Sequence, residues 1–180
     1  MNRHLKSVFI STAAFVLLAA AVLAVSKSAQ PRIDANEMKK NFETYSTVLE
    51  ADSFEKADFS IEEFPNVETV AKAADEKGWV IKSVFPGAHG DIAMVTGVGP
   101  DYLCTGISIL SHSETEGLGA VAADSGEEGT AFRASFVGTG EDVALAGDGG
   151  TIDAITGATE TSSAIVGAVA EAIGAAKSAA

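Results

Sequence analysis

Hydroxyl side chains are crowded in and just after the segment DAITGAT, residues 153–159, near the end of the chain. We call residues 153–159 the threonine segment. An apolar stretch typical of a helix follows, and a helix N-terminus offers unpaired N–H groups and a positive dipole end to a phosphate. The ordinary alternative is that one hydroxyl caps the helix. The hydroxyl groups concerned are those of Thr156, Thr159, Thr161, Ser162 and Ser163.

A second segment with chemical potential is SHSETEGLG, residues 111–119, which we call the glycine loop. Backbone beside Gly117 and Gly119 can approach a flat ligand closely, because glycine has no side chain and tolerates positive φ. Glu114 and Thr115 can offer hydrogen bonds to such a ligand. The alternative is a simple turn with a solvated acid, and His112 by itself is typical of a surface position.

Several classes of site are disfavoured by the composition. One cysteine, Cys104, allows no internal disulfide, and the three scattered histidines make no metal-ligand spacing. The GxxxxGK[ST] and GxSxG motifs are missing. The formal net charge is −13, and three of the twelve Lys and Arg but none of the 25 Asp and Glu lie in residues 1–30. An acidic remainder argues against nucleic acid as a partner.

The first 30 residues differ from the rest. Val8 to Val25 contains no charge, proline or glycine, which predicts a transmembrane helix. Arg3 and Lys6 precede it and predict a cytoplasmic N-terminus with the main domain outside the cytoplasm. The alternative is a signal peptide cleaved near Ala24-Val25-Ser26. We therefore predict a segment 1–30, with cytoplasmic tip, membrane helix and linker, and an extracytoplasmic domain 31–180.

The domain itself is predicted to be α+β, with an antiparallel-rich sheet flanked by helices. A helix is expected over residues 37–49, because Met38, Phe42, Tyr45 and Leu49 form one apolar stripe. Another helix is expected over residues 66–79, with Asn66 as N-cap and Gly78 as the stop. Strands are expected at residues 79–85, 91–98 and 103–112, because these runs are rich in β-branched residues. Residues 113–138 show a Gly-rich, acidic pattern without a firm element, and a last helix is expected from about Glu160 to Lys177.

Together, the glycine loop and the threonine segment resemble the FMN-binding domain of the family formed by the Rnf G subunit and the Nqr C subunit. That family has an E-T-P-G-L-G segment and a D-x-x-[S/T]-G-A-T segment, which enclose one FMN. The lead-in from Gly78 is also similar to the family's strand pair, so the motif-level resemblance runs from about Gly78 to Val169.

The resemblance implies that the Thr159 hydroxyl is esterified to the FMN phosphate by a separate flavin transferase. Asp153, Thr156, Gly157 and Ala158 then belong to the attachment motif, and capping passes to Thr161 and Ser162. By the same transfer, the residues that border the flavin ring are Glu114, Thr115, Gly117 and Leu118. Glu116 stands where the family has proline, and Pro100-Asp101-Tyr102 replaces a short turn. A carboxylate at Glu116 near the ring is expected to lower the flavin potential.

The implied function is that of the G subunit of an Rnf-type membrane complex, which couples electron transfer to movement of Na⁺ or H⁺. Such a subunit is a redox carrier with covalent FMN, without a substrate-transforming site or metal of its own, and its partners are other membrane and redox subunits. The alternatives are an Nqr C-type subunit and a stand-alone membrane-tethered flavoprotein. A third alternative, from another class, is a non-redox extracytoplasmic binding module.

Overall fold

A computed structural model describes residues 34–180 of the chain. The predicted transmembrane helix, Val8 to Val25, and the segment 1–30 lie outside the described residues. Residues 38–180 form one compact unit, to which the fold below belongs. Across residues 34–180, every helix is either too short or too polar to cross a membrane.

The centre of the domain is a five-stranded antiparallel sheet in the order β1-β2-β3-β4-β5. Each strand pairs with the next one along the chain, so the sheet is a meander. This confirms the predicted antiparallel sheet and the α+β class. The strands are β1 Phe54–Ala57, β2 Val67–Ala73, β3 Trp79–Pro86, β4 Asp91–Val98 and β5 Cys104–Ser111.

Three α-helices accompany the sheet in the described part of the chain: α1 (residues 34–46), α2 (Glu127–Ala134) and α3 (Thr159–Ser178). Short 3₁₀ helices occupy Gly119–Ala123 and Ala146–Asp148. Between α2 and α3 the chain is mostly irregular, with a single parallel bridge from Leu145 to Ile152.

Helix α3 covers one face of the sheet. Ile165, Val169 and Ile173 recur every four residues and are fully buried in the main core, opposite Ile81 and Met94 of the central strands. The alanines of the same face have no side chain beyond Cβ, so the helix backbone can approach the sheet closely. The predicted helix is confirmed and extends one residue further at each end.

The other face of the sheet carries a separate core. Met38 and Tyr45 of α1 are buried there with Leu49, and Phe42 packs at its edge. These are the four members of the apolar stripe that predicted the helix. The helix itself ends at residue 46, and a turn carries the chain on to Leu49.

The helix predicted over residues 66–79 is wrong, because residues 67–73 form β2. That strand lies between β1 and β3 and is buried on both faces, so it lacks the polar alternation that marks a half-buried strand. A register shift between Val67 and Thr69 interrupts the pattern further. Asn66 caps no helix, since its backbone N–H and its side-chain amide donate to the Glu171 carboxylate at 3.0 and 2.8 Å.

Candidate functional site

The glycine loop and the threonine segment meet at one pocket of about 340 Å³. The glycine loop follows β5 directly, and the threonine segment leads into α3, so the sheet and the helix that packs on it fix both. The turn between β3 and β4 supplies the third wall. The lining residues are Ala88, His89, Glu114, Thr115, Leu118, Gly119, Gly157, Ala158, Thr159, Glu160 and Thr161.

Thr159 is the first residue of α3 and its side chain is exposed at this pocket. Ala158 precedes it as the N-cap residue, and no side chain caps the helix. The first backbone N–H groups of a helix have no acceptor within the helix, and they carry the positive end of its dipole. The Thr159 hydroxyl is therefore exposed beside a place that stabilises negative charge.

Gly157 brings the two segments into contact. Its φ is +75°, a conformation that other residues rarely adopt, and a β-carbon there would lie 3.0 Å from Leu118 Cδ2. Leu118 is 41% exposed although it is a large apolar residue. The glycine thus allows the chain to turn into α3 beneath an apolar side chain that stays available at the pocket.

Glu114 is buried in the wall of the pocket, with its side chain 1% exposed. One carboxylate oxygen, Oε2, accepts a hydrogen bond of 2.5 Å from the Thr161 hydroxyl, and the other, Oε1, accepts one of 3.0 Å from the backbone N–H of His89. The carboxylate therefore joins the turn between β3 and β4, the glycine loop and the first turn of α3.

The pKa of Glu114 is lowered from its ordinary value. Burial by itself raises this pKa, but the hydrogen bonds from the Thr161 hydroxyl and the His89 backbone, with the nearby imidazole of His89, outweigh burial. Nδ1 of His89 lies 3.9 Å from Oε2, and the His89 side chain is 61% exposed. The carboxylate is thus held in its charged form.

Two glycines leave the space that this carboxylate occupies. A β-carbon at Gly87 would lie 2.5 Å from Oε1 of Glu114, and one at Gly119 would lie 2.5 Å from Oε2. Both distances are shorter than any real contact of a β-carbon. Gly119 therefore serves close packing around Glu114, whereas Gly117, with φ of +73° and open space around it, serves the turn.

The remaining predicted residues lie around the pocket or beside it. Thr115 is exposed and lines it, while Gly117 and Thr156 are exposed and do not. Asp153 lines a different pocket, of about 270 Å³, against α2.

The capping role predicted for Thr161 and Ser162 is wrong. Thr161 donates to Glu114, and Ser162 is fully buried, where its hydroxyl accepts from the Ile155 N–H at 3.0 Å and donates to the Ala158 carbonyl at 2.9 Å. Ser162 thus holds the threonine segment against α3 from inside, and it does so four residues into the helix.

His89 was missed at the level of sequence. Its larger contribution to Glu114 comes from its backbone N–H, which any residue type except proline provides, so residue type did not mark this position. Ala88 and Glu160 also line the pocket and were missed. The glycine-rich turn PGAHG was the only local sign of a close approach. Among the described residues that line the pocket, none is lysine or arginine.

Comparison with known proteins agrees with this geometry. Residues 87–174 match the family model described as an FMN-binding domain, a range that contains both segments of the pocket. The G subunit of an ion-translocating oxidoreductase complex from Methanosarcina acetivorans is 37% identical over 98 residues, which are 53% of this chain and 50% of that protein. The corresponding G subunit of Aliivibrio fischeri is 39% identical over 100 residues, 53% of this chain and 48% of that protein.

The chain spans about half the length of these relatives. The matched half contains β4, β5 and most of α3, which are the elements that position the glycine loop and the threonine segment. The resemblance noted from those two segments is thereby confirmed. Residues 87–174 match the FMN-binding domain family, and the chain is similar to the G subunits of ion-translocating oxidoreductase complexes.

Proposed function

We propose that this protein is an electron carrier that holds FMN through a phosphoester bond to Thr159. The observation that carries the proposal is the place of Thr159: an exposed hydroxyl at the first residue of a 20-residue helix, on a pocket shared with the glycine loop. In this proposal the rest of the attachment segment consists of Asp153, Thr156, Gly157 and Ala158.

The residues present fit the phosphate end of FMN. Gly157 adds no side chain beside Thr159, and the N-terminal N–H groups of α3 can donate to phosphate oxygens. No described lysine or arginine lines the pocket, so the negative phosphate depends on the helix terminus and on the exposed imidazole of His89. A covalent bond supplies the retention that such a pocket lacks.

The bond requires an activated donor, because joining free FMN to an alcohol releases water, and water as the solvent drives that reaction backwards. A flavin dinucleotide, whose phosphoanhydride provides a leaving group, meets this need. The Thr159 oxygen attacks the flavin-side phosphorus, the P–O bond to the nucleotide breaks, and the nucleoside monophosphate leaves with the bonding electrons. The hydroxyl proton passes to the flavin transferase or to water, and a phosphodiester remains.

The chain's own residues bind and orient the cofactor. Leu118 offers an exposed apolar surface to the flavin ring, and Thr115 offers a hydroxyl and a backbone at the pocket. FMN supplies the electron chemistry when it is bound. Even nanomolar affinity, about −12 kcal/mol, would let a flavin outside the cytoplasm be lost by dilution, whereas an ester is not.

The same proposal extends to the setting of the protein. The names of its relatives support a place as the G-type redox subunit of an ion-translocating oxidoreductase. In this proposal, electron transfer is coupled to movement of Na⁺ or H⁺. The partners would be the membrane and redox subunits of that complex. The predicted membrane helix, Val8 to Val25, would anchor the chain with its main domain outside the cytoplasm.

The test is the full chain produced together with a flavin transferase and then denatured and separated on a gel. We expect ultraviolet fluorescence at the position of the wild-type chain. It should be absent from Thr159→Ala and retained by Thr159→Ser. Fluorescence that survives in Thr159→Ala would exclude Thr159 as the attachment point. A colourless wild-type chain would favour the non-redox binding module, and flavin without co-purifying subunits would favour the stand-alone carrier.

A further inference from the structure

The carboxylate of Glu114 is more buried and more fully hydrogen-bonded than a residue that only lines the pocket would need to be. It is buried beneath the pocket surface, and both of its oxygens accept hydrogen bonds from other segments of the chain. The partners are 47 residues downstream, at Thr161, and 25 residues upstream, at His89. A carboxylate with both oxygens engaged in this way is poorly placed to receive a flavin ring.

Thr161 is the third residue of α3, within its first turn and two residues after Thr159. Among the described residues, its hydroxyl is the only side-chain group that donates a hydrogen bond to Glu114. A bond to the third residue fixes the rotation of the first turn about the helix axis, and therefore the direction in which the exposed side chain of Thr159 leaves the helix.

Gly119 leaves the space in which this bond forms. A β-carbon at Gly119 would lie 2.5 Å from both Glu114 Oε2 and Thr161 Oγ1, the two atoms that form it. The buried Ser162 hydroxyl holds the next residue of α3 to Ile155 and Ala158. The first turn of α3 is thus tied to the loop before it and to the glycine loop by two separate contacts.

We propose that Glu114 is a positioning residue: through the Thr161 hydroxyl it holds the first turn of α3 so that the Thr159 hydroxyl faces the incoming flavin nucleotide. The proposal rests on the attachment of FMN to Thr159 described above. The family resemblance implied that Glu114 borders the flavin ring. In this proposal Glu114 acts instead through a second residue, Thr161. Thr115 and Leu118 keep their exposed place at the pocket.

The experiment measures the initial rate of flavin attachment to the full chain, with purified flavin transferase and flavin adenine dinucleotide as the probe. Thr161→Val removes the hydroxyl and keeps the shape of the side chain, and Thr161→Ser keeps the hydroxyl. The matched control is Thr105→Val, which loses a hydroxyl bond of 2.6 Å to the Val48 carbonyl at the beginning of β5, away from the pocket. Urea unfolding of each variant records its stability.

We expect Thr161→Val to be labelled roughly tenfold or more slowly than wild type, because small misplacement of a reacting group is costly in rate. Thr161→Ser should restore most of the rate, and Thr105→Val should be labelled at close to the wild-type rate although it also loses a hydroxyl hydrogen bond. Glu114→Gln should also be slow, since its amide cannot accept both hydrogen bonds, and the double variant with Thr161→Val should be no slower than the slower single one.

Four results would overturn the inference. In the first, folded Thr161→Val is labelled at the wild-type rate, which leaves attachment at Thr159 intact and removes only the role of Glu114. In the second, Thr161→Ser or Thr105→Val is as slow as Thr161→Val, which makes the effect one of general packing or stability. In the third, Thr161→Val and Glu114→Gln do not fold, so the bond serves the whole domain. In the fourth, wild type itself is not labelled, and attachment at Thr159 fails with it.

Discussion

Gly119 lies so close to Glu114 that a β-carbon at position 119 would stand 2.5 Å from the Glu114 carboxylate. Gly119→Ala should therefore destabilise the domain by about 1–3 kcal/mol through overpacking. Urea unfolding followed by circular dichroism measures this. Gly167→Ala is the control: it is exposed in α3 with nothing near its β-carbon, and it should stabilise by about 0.5–1 kcal/mol. Equal stability of the two variants would contradict the packing account.

Because the pKa of Glu114 is lowered in the folded protein, the free energy of unfolding depends on pH in the acidic range. Burial opposes the shift and the hydrogen bonds from Thr161 and His89 outweigh it, so the unfolded chain takes up this proton at a higher pH than the folded chain. The contribution is complete above the ordinary glutamate pKa, about 4.3, and is lost as the pH falls through the folded value.

Glu114→Gln should accordingly be less stable than wild type at pH 7, and its free energy of unfolding should fall less steeply below about pH 4. Urea unfolding at a series of pH values gives both slopes. Identical slopes for the two proteins would show that Glu114 contributes nothing to the acid sensitivity.

Glu171 joins α3 to the beginning of β2 through two hydrogen bonds from Asn66, at 3.0 and 2.8 Å. Glu171→Ala should cost about 1–3 kcal/mol, because a partly buried backbone N–H loses its acceptor, and Glu171→Gln should cost less. Thermal and urea unfolding are suitable measurements. Glu43→Ala, at an exposed position of α1, should stay within about 0.5 kcal/mol of wild type. A loss at Glu43 as large as at Glu171 would exclude a specific role for the contact.

Cys104 is 2% exposed, and burial raises the pKa of its thiol to about 11. At pH 8 the folded protein should react with iodoacetamide at least ~100-fold more slowly than the urea-unfolded chain, since the thiolate is the reactive form. Mass spectrometry of the alkylated protein over time gives both rates. Rapid alkylation of the folded protein would show that this end of β5 opens readily.

Glu116 stands in the glycine loop where the family has proline, and its side chain is exposed. A carboxylate near the flavin disfavours the anionic reduced cofactor, so Glu116→Pro should raise the midpoint potential of the attached FMN. Reductive titration with a reference dye measures the potential, and Glu116→Gln separates charge from backbone stiffness. An unchanged midpoint in both variants would remove the charge at Glu116 from the redox properties.

The sequence predicted those elements whose own residues decide their structure. Strands β3 to β5 carry runs of β-branched residues, and α3 shows Ile165, Val169 and Ile173 at regular spacing. β2 has a helix-like sequence because it is buried on both faces and because its last three residues, 71–73, are good helix formers; pairing with two neighbours outweighs that preference. Helix α2 was missed although acidic residues begin it and Arg133 lies in its last turn, as the helix dipole favours.

The candidate site was predictable to the level of its two segments and no further. The resemblance of the two segments to the FMN-binding family brought Glu114 and Thr159 into one hypothesis. It did not show that Glu114 turns inward to Thr161, nor that Asp153 faces α2, because these directions are decided by packing between parts of the chain far apart in sequence. The backbone of His89 was beyond reach for the same reason.

The order of the strands along the chain also affects when the pocket can form. Each strand finds its partner next to it in the chain, so the sheet can assemble in the order of synthesis without waiting for distant segments. The pocket cannot, because its last wall is α3, and the Thr161 hydroxyl meets a carboxylate made 47 residues earlier. A pocket with all of its walls therefore forms only after α3 has been made and has packed on the sheet.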